Sequence, residues 1–314
     1  MRPSSANRPR TQAIEDFSNK YYSTIPHEFG RNRPPAINDN EILRKETSML
    51  DTLTDMEVAN TIMKASGSDK EKDAESVSIL DKRFQDLGME EMTPLDHDSS
   101  EYRALADYLI KSSGTSHGIK YRLEDIFRID RSGEADRFEK SEFAKLKKSD
   151  KRLLWHGSRT TNYGGILSQG LRIAPPEAPV NGYAFGKGVY LADVSSKSAQ
   201  YCQPAMSGGT GLLLLIEAEL GKPMYEIPTG NPNAEEEAKK HGAYSTLGVG
   251  RTAPQGWMDG KAIHESLEGV SIPDPSMGLG DNKKANANGY LMYNEYICYN
   301  VAQMHLRYLF RVGM

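Results

Sequence analysis

The sequence predicts an α+β protein: a small, mainly helical piece followed by a mixed domain rich in antiparallel strands. Three observations carry this expectation. Between Glu41 and Lys64, the apolar residues Ile42, Leu43, Met49, Leu50, Leu53, Met56, Ala59, Ile62 and Met63 recur at close to the ~3.6-residue period of an amphipathic helix. Beyond residue 120, short apolar runs alternate with Gly- and Pro-rich stretches, the pattern of many short strands. No regular strand–helix alternation accompanies them, so a doubly wound parallel sheet is not expected.

Taken in order, residues 1–12 are polar and Arg/Pro-rich and read as a disordered tail. Ala13 to Tyr22 reads as a short helix, and Pro26, Pro34 and Pro35 then break the chain into turns. The Glu41–Lys64 helix has Asn38, Asp39 and Asn40 available as caps. Residues Ser66 to Ser78 are polar and charged with neither period. They read as a linker between a helical segment, 13–65, and a second domain, 79–314. In that domain Tyr102 to Ser112 reads as a helix. The strands expected are Tyr121–Arg128, Arg152–Gly157, Gly188–Ala192, Gly211–Leu220, Tyr293–Tyr299 and Leu306–Phe310. The stretch from Pro228 to Asn288 is rich in Gly, Asn and Pro and is expected to be largely loop, a length usually tied to function or disorder.

Composition narrows the function classes. Of 314 residues, 38% are hydrophobic and 26% charged, a globular profile. The 39 Lys and Arg against 43 Asp and Glu argue against a surface built throughout for nucleic acid. Two cysteines, Cys202 and Cys298, support neither a disulfide framework nor a zinc module. The longest apolar run, Leu212 to Ile216, is closed by Glu217, far short of the ~18 residues of a membrane span. The basic N-terminus lacks the apolar region of a secretory signal. A soluble, intracellular protein without membrane partners is expected. No G-x-G-x-x-G follows a strand, so a Rossmann site is unsupported. The run Gly182–Gly188 (GYAFGKG) mimics a phosphate loop, but its spacing is one residue short and Gly188 stands where Ser or Thr would hold magnesium. Neither H-E-x-x-H nor G-x-S-x-G occurs, so metal enzymes and α/β-hydrolases are not expected.

Three segments concentrate chemistry. In Leu153–Arg159 (LLWHGSR) a His–Gly pair ends a strand, setting an imidazole beside a backbone without side-chain cover. Alone, a strand-end histidine is more often structural. Gly182 to Tyr201 combines three glycines in seven residues with Tyr183 and Phe185, then a strand to Ala192 and a helix from about Ser195. On that helix Lys197 and Tyr201 share a face, with Ser198 beside them. This reads equally as a flap over a flat ligand or as a core-facing aromatic stripe. In Tyr293–Tyr299 (YNEYICY) strict alternation would put Tyr293, Glu295, Ile297 and Tyr299 on one face. A carboxylate there is either paired with a cation or functional, because an unpaired buried charge is costly.

Together these segments resemble the catalytic domain of the poly(ADP-ribose) polymerases. The run Arg152–Ala199 (RLLWHGSRTTNYGGILSQGLRIAPPEAPVNGYAFGKGVYLADVSSKSA) matches the family's signature almost throughout, and YNEYICYN completes the His, Tyr and Glu of its polymer-forming branch. The resemblance extends over roughly residues 11–314, and LSQGLRIAPPEAPV is similar to the nuclear, DNA-damage-responsive members. It implies the ADP-ribosyltransferase fold and a nuclear protein. It also implies NAD+ as a substrate rather than a redox carrier, with no metal, and ADP-ribose passed to protein acceptors including the enzyme itself. Glu295, His156, Tyr190 and Lys197 would be the catalytic residues. Gly157 and Ser198 would hold the nicotinamide carboxamide, Tyr190 and Tyr201 would sandwich its ring, and His156 would bond the adenosine ribose. Asn162 and Arg172 would line the adenosine side, Tyr183 would lie on the flap, and Ser158 and Ala192 complete the NAD-contacting set. Retention of Glu295 favours polymer formation over the two rivals, mono-ADP-ribosyl transfer and a silent NAD- or ADP-ribose-binding module.

Residues 11–64 resemble the second half of the family's helical regulatory domain, with Asp51 and Asp55 on the helix that abuts the NAD site and helps block it. On this reading the chain is a fragment or short form. It would lack the regulatory domain's first helices and the family's DNA-binding modules, so DNA would act only through segments it does not contain and autoinhibition would be weakened. Ala184 and Leu191 depart from the larger side chains common at those places, and Pro228–Asn288 matches least well.

Overall fold

A computed structural model describes residues 8–25, 27–29, 32–65, 79–174, 183–285 and 289–314. The expected linker, the first residues of the expected tail and the segment 175–182 lie outside them. The chain forms two compact units, Met1–Leu53 and Thr54–Met314.

The first unit holds helix α1 (Arg8–Thr24) and the start of α2 (Asn40–Ala65). Residues 8–12, expected in the tail, are helical. Within this unit Tyr21, Tyr22, His27 and Phe29 pack edge to face or stacked around Glu46. The Glu46 carboxylate accepts from the Tyr21 hydroxyl (2.9 Å) and from His27 Nε2 (2.7 Å), while His27 Nδ1 donates to the Ile25 carbonyl (2.7 Å). Burial pulls the His27 pKa down, but the Ile25 and Glu46 oxygens outweigh it and the net shift is upward.

The second unit continues through α3 (Ile79–Asp86), β1 (Met89–Pro94), α4 (Ser100–Lys111), β2 (Arg122–Arg131), α5 (Glu134–Glu139), β3 (Lys151–Ser158) and α6 (Tyr163–Gln169). After residue 182 come β4 (Val189–Leu191), α7 (Ser195–Ala199), β5 (Thr210–Glu219), β6 (Tyr225–Ile227), α8 (Ala234–Lys240) and β7 (Ser245–Gly248). The last strands are β8 (Thr252–Pro254), β9 (Trp257–Asp259), β10 (Ser271–Pro273), β11 (Leu279–Asp281), β12 (Glu295–Cys298) and β13 (Met304–Gly313).

A seven-stranded sheet runs β1-β2-β13-β5-β3-β10-β9, and a four-stranded sheet runs β4-β12-β7-β6. Strands β8 and β11 form a separate pair. All pairings are antiparallel except β3 with β10 and β6 with β7, as the strand-rich, non-alternating sequence predicts. Strand β5 shows why its sequence is a continuous apolar run: Leu214, Ile216 and Ala218 enter one core cluster and Leu213 and Leu215 another. Both faces of the central sheet are therefore dry.

Two expectations need correction. The described part of the stretch 228–288 is only about half loop, for it also holds α8, β7 to β11 and short 3-10 turns. Helix α8 has Glu235, Glu236 and Glu237 in its first turn and Lys239 and Lys240 in its last, complementary to the helix dipole. Most of the strands there are three residues long, too short to show a period. Strand β12 is also shorter than Tyr293–Tyr299. Tyr293 leaves the sheet to form a bridge with Thr252 and to hydrogen-bond Ser116 (2.8 Å).

Because both faces of β5 are buried, Leu214→Ala and Leu215→Ala should each cost about 2–5 kcal/mol of unfolding free energy. Equilibrium urea unfolding checks this; a loss at only one of the two would mean that one face of the sheet is wet.

Candidate active site

The two large sheets meet at one bridge. The Trp155 N–H donates to the Ala192 carbonyl (2.8 Å) and the Ala192 N–H donates to the Trp155 carbonyl (3.0 Å). Backbone polar groups alternate sides along a strand. With Trp155 turned toward Ala192, His156 turns toward β5, where it pairs Leu214, and Gly157 turns back toward the β4 side. Its N–H and C=O thus face a cavity of about 100 Å³ lined by His156, Gly157, Tyr190, Leu191, Ala192, Lys197, Ser198, Tyr201 and Glu295. A Cβ on Gly157 would overlap the Ser198 carbonyl oxygen, so only glycine lets α7 sit this close to β3.

Each wall comes from a different element. Strand β4 carries Tyr190, whose hydroxyl donates to the Gly186 carbonyl (2.8 Å) and accepts from the Phe185 N–H (2.9 Å). Burial, above all, drives its pKa up, so the phenol stays neutral. Helix α7 carries Ser198, its hydroxyl donating to the Trp155 carbonyl (2.9 Å), and Lys197. Tyr201, one turn on, is more than half exposed at the rim. Strand β12 supplies Glu295, whose Oε1 lies 2.6 Å from Lys197 Nζ. Burial acts to lower the Lys197 pKa, but the Glu295 carboxylate more than offsets it, and the net shift is upward. The pair is therefore an ammonium–carboxylate ion pair. His156 Nδ1 lies 3.1 Å from the Tyr190 carbonyl, an oxygen that can only accept. Burial lowers the His156 pKa, so the ring is neutral with Nδ1 protonated and Nε2 an acceptor.

The other expected residues lie nearby but not in this cavity. Asn162 Nδ2 donates to Ser158 Oγ (2.9 Å), just past Gly157 on β3. The Tyr183 ring sits 6.2 Å from that of Tyr190. Arg172, after α6, pairs with Asp55 of α2. Asp55 fits there because α6 presents Gly165, where a Cβ would overlap the Asp55 carboxylate. Arg172 also lines a larger cleft, about 810 Å³, with Lys187 and Asn300. That cleft is lined by neither Glu295 nor His156, both of which line the smaller cavity.

The structure adds residues that the sequence pattern passed over. His117, between α4 and β2, bonds Ser196 Oγ (2.8 Å) and stacks obliquely on Tyr293; burial and the Lys197 charge depress its pKa. Asp193, directly after Ala192, is fully buried. Its Oδ2 accepts from Asn294 Nδ2 (2.8 Å) and the Tyr296 hydroxyl (2.9 Å). Neither residue carried a sequence signal, since an isolated His or Asp between elements has no period or spacing to mark it. Among the described residues no cluster of three or more His, Cys, Asp or Glu is placed to hold a metal ion.

Burial raises the Asp193 pKa from 3.8 to about 6, against the opposing pull of Asn294, Tyr296 and Arg152. The native state therefore keeps a proton that the unfolded chain releases. The stability this group contributes is present below about pH 4 and lost as pH rises through about 6. Asp193→Asn removes that dependence. The stability of the Asn variant minus that of the unmodified protein should grow between pH 4 and 6 and level off above. Urea unfolding at stepped pH measures it, and a flat difference contradicts the assignment.

Comparison with known proteins follows the same lines. Residues 99–314 match the poly(ADP-ribose) polymerase catalytic domain and residues 2–84 match the poly(ADP-ribose) polymerase regulatory domain. The chain is 42% identical over 300 residues to poly(ADP-ribose) polymerase 1 of Xenopus laevis, covering 95% of this chain and 28% of that protein. It is 39% identical over 304 residues to poly(ADP-ribose) polymerase 2 of Homo sapiens, covering 96% of this chain and 48% of that protein. It thus spans less than half the length of either relative. With the catalytic-domain match running from α4 to the last residue and enclosing every residue of the cavity, the chain belongs to the poly(ADP-ribose) polymerase family.

Proposed function

We propose that the chain is an NAD+-dependent protein ADP-ribosyltransferase that builds poly(ADP-ribose) on protein acceptors, itself included, in a nuclear response to DNA damage. The observation that carries this reading is the Lys197–Glu295 ion pair at the mouth of a cavity that also offers the Gly157 backbone, Ser198 and two tyrosines.

On this reading the nicotinamide carboxamide takes hydrogen bonds from the Gly157 N–H and the Ser198 hydroxyl and donates to the Gly157 carbonyl. Ser198 must exchange its present acceptor, the Trp155 carbonyl, for the ligand. The ring stacks on Tyr190 and Tyr201, each contact worth about 1 kcal/mol. His156 Nε2, fixed as an acceptor, takes a hydrogen bond from the adenosine ribose. Asn162 and Ser158 extend that side, Ala192 lies against the cavity floor, and Tyr183 covers the flap side. Glu295 accepts from the 2′-hydroxyl of the nicotinamide ribose, so its charge faces the carbon that becomes positive as the glycosidic bond opens. The bonding pair leaves with nicotinamide, which departs neutral. The acceptor oxygen bonds to the anomeric carbon and its proton passes to Glu295 as general base. Lys197 holds Glu295 in position. Asp55, paired with Arg172 on the adenosine side, competes with NAD+ there and restrains the enzyme.

The retained carboxylate at 295 supports polymer formation over single transfer. Incubated with NAD+, with and without nicked DNA, the chain should give a high-mass ADP-ribose smear on a gel. Glu295→Gln should lower turnover by about 10²–10³-fold while leaving binding of a benzamide-type nicotinamide analogue intact. One added unit per acceptor would mean mono-transfer. No product from a cooperatively folded chain would sink the enzymatic reading in favour of a binding module.

A further inference from the structure

We propose that Asp193 is a positioning residue for Glu295, holding the carboxylate in place by pinning the start of its strand. This rests on the reading of Glu295 as the catalytic carboxylate.

Glu295 is the first residue of β12. Pairing with β7 begins at Glu295–Gly248 and pairing with β4 only at Tyr296–Leu191. Upstream of it the chain leaves this ladder: the Leu291 and Met292 carbonyls accept from the Arg251 and Thr252 N–H groups (3.0 and 2.8 Å), and Tyr293 bridges Thr252. Glu295 thus sits at the junction where one pairing ends and another begins, and Asp193 holds that junction from behind. Successive side chains alternate across a strand, so Asn294 and Tyr296 lie on the face opposite Glu295. Both donate to the same Asp193 oxygen, at 2.8 and 2.9 Å. Asp193 therefore grips the strand from behind while Glu295 projects forward to Lys197.

The other end of the grip is equally fixed. Asp193 follows Ala192, whose backbone is bonded in both directions to Trp155 of β3, the strand that also carries His156 and Gly157. One carboxylate thus ties the end of β12 to the strand that forms the opposite wall of the cavity. Asn294 spreads the constraint further: its Oδ1 accepts from the Gly250 N–H (2.9 Å) and from Asn282 Nδ2 (3.2 Å). Tyr296 in turn accepts from Arg152 Nη1 (3.2 Å), and Arg152 is paired with Asp150 at 2.9 Å. The second Asp193 oxygen, Oδ1, is buried without a hydrogen-bond partner among the described residues. A carboxyl serving stability alone would be better replaced by an apolar side chain. What it provides that an apolar side chain cannot is an acceptor for the residues on both sides of Glu295.

Asp193→Leu keeps the branching at Cγ and removes the acceptor, at the cost of a larger side chain. In the full chain, NAD+ turnover should fall by at least about 10-fold while KM for NAD+ and the affinity for a benzamide-type analogue stay within about 3-fold. Asp193→Asn, which keeps one acceptor oxygen, should recover most of the turnover. Placed in a Glu295→Gln background, Asp193→Leu should change the residual rate by less than about 2-fold, since a residue acting only through Glu295 has nothing left to position. Amide hydrogen exchange over residues 294–296 should accelerate by about 10-fold or more, with β5 unchanged. Loss of analogue binding in step with turnover, an undiminished effect in the Gln background, or unchanged exchange would each overturn the proposal. If Asp193→Leu does not fold, Tyr296→Phe removes one donor without a cavity and should show the same pattern at smaller size; its absence there overturns the proposal too. An unmodified chain that consumes no NAD+ refutes the enzymatic reading, and the exchange experiment then decides the positioning role alone.

Discussion

The paired hydrogen bonds between Trp155 and Ala192 are the constraint on which the site depends. They join the seven-stranded sheet to the four-stranded one at a single point, beyond which β3 and β4 part. Because backbone groups alternate, that one bridge dictates that the Gly157 peptide groups face the gap between the sheets. It also delivers Tyr190, just before Ala192, and Asp193, just after it, to opposite sides of the same seam. The cavity is what remains where two twisted sheets stop pairing.

Charge in this seam is handled in two ways. Glu295 and Lys197 form a largely buried ion pair in which the carboxylate holds the ammonium charged. Among the described residues Asp193 has no cation in hydrogen-bond contact and relies on neutral donors, so burial dominates its titration. The contrast is functional in the proposed chemistry: one carboxylate meets substrate, and the one behind it serves as an acceptor. Histidine follows the same logic, with the Tyr190 carbonyl choosing the tautomer of His156 and burial keeping it neutral.

The N-terminal unit and the second unit are each organised around a buried carboxylate or core of their own. Glu46 gathers Tyr21 and His27 in the first. In the second, Glu101 accepts from Arg128 (2.6 Å) and from the Tyr308 hydroxyl (2.8 Å), locking α4 across β2 and β13. Asp55, in the part of α2 that belongs to the second unit, reaches Arg172 because Gly165 of α6 leaves room for its carboxylate, as the neighbouring Gly164 does for Ala59.

Much of this was legible in the sequence. The apolar run of β5 and the strand carrying His156 have local preferences that agree with their final burial, and α2 was legible as a helix, although Leu50, Leu53, Met56 and Met63 of its apolar stripe stay exposed while Glu46 and Asp55 are buried. The family signature placed Gly157, Tyr190, Lys197, Ser198, Tyr201 and Glu295, all of which line one cavity. The stretch 228–288 misled, because glycine and proline punctuation is local whereas strands of three residues exist only through their partners. The alternation of Tyr293–Tyr299 put Asn294 and Tyr296 on the face opposite Glu295 but could not reveal that both meet Asp193. Sequence by itself determined which residue types were present and which of the longer segments would be helix or strand. Tertiary structure alone decided that Asp193 and Asn294, 101 positions apart, would meet behind Glu295, because a contact between strand ends depends on where two sheets part, and no local period encodes that.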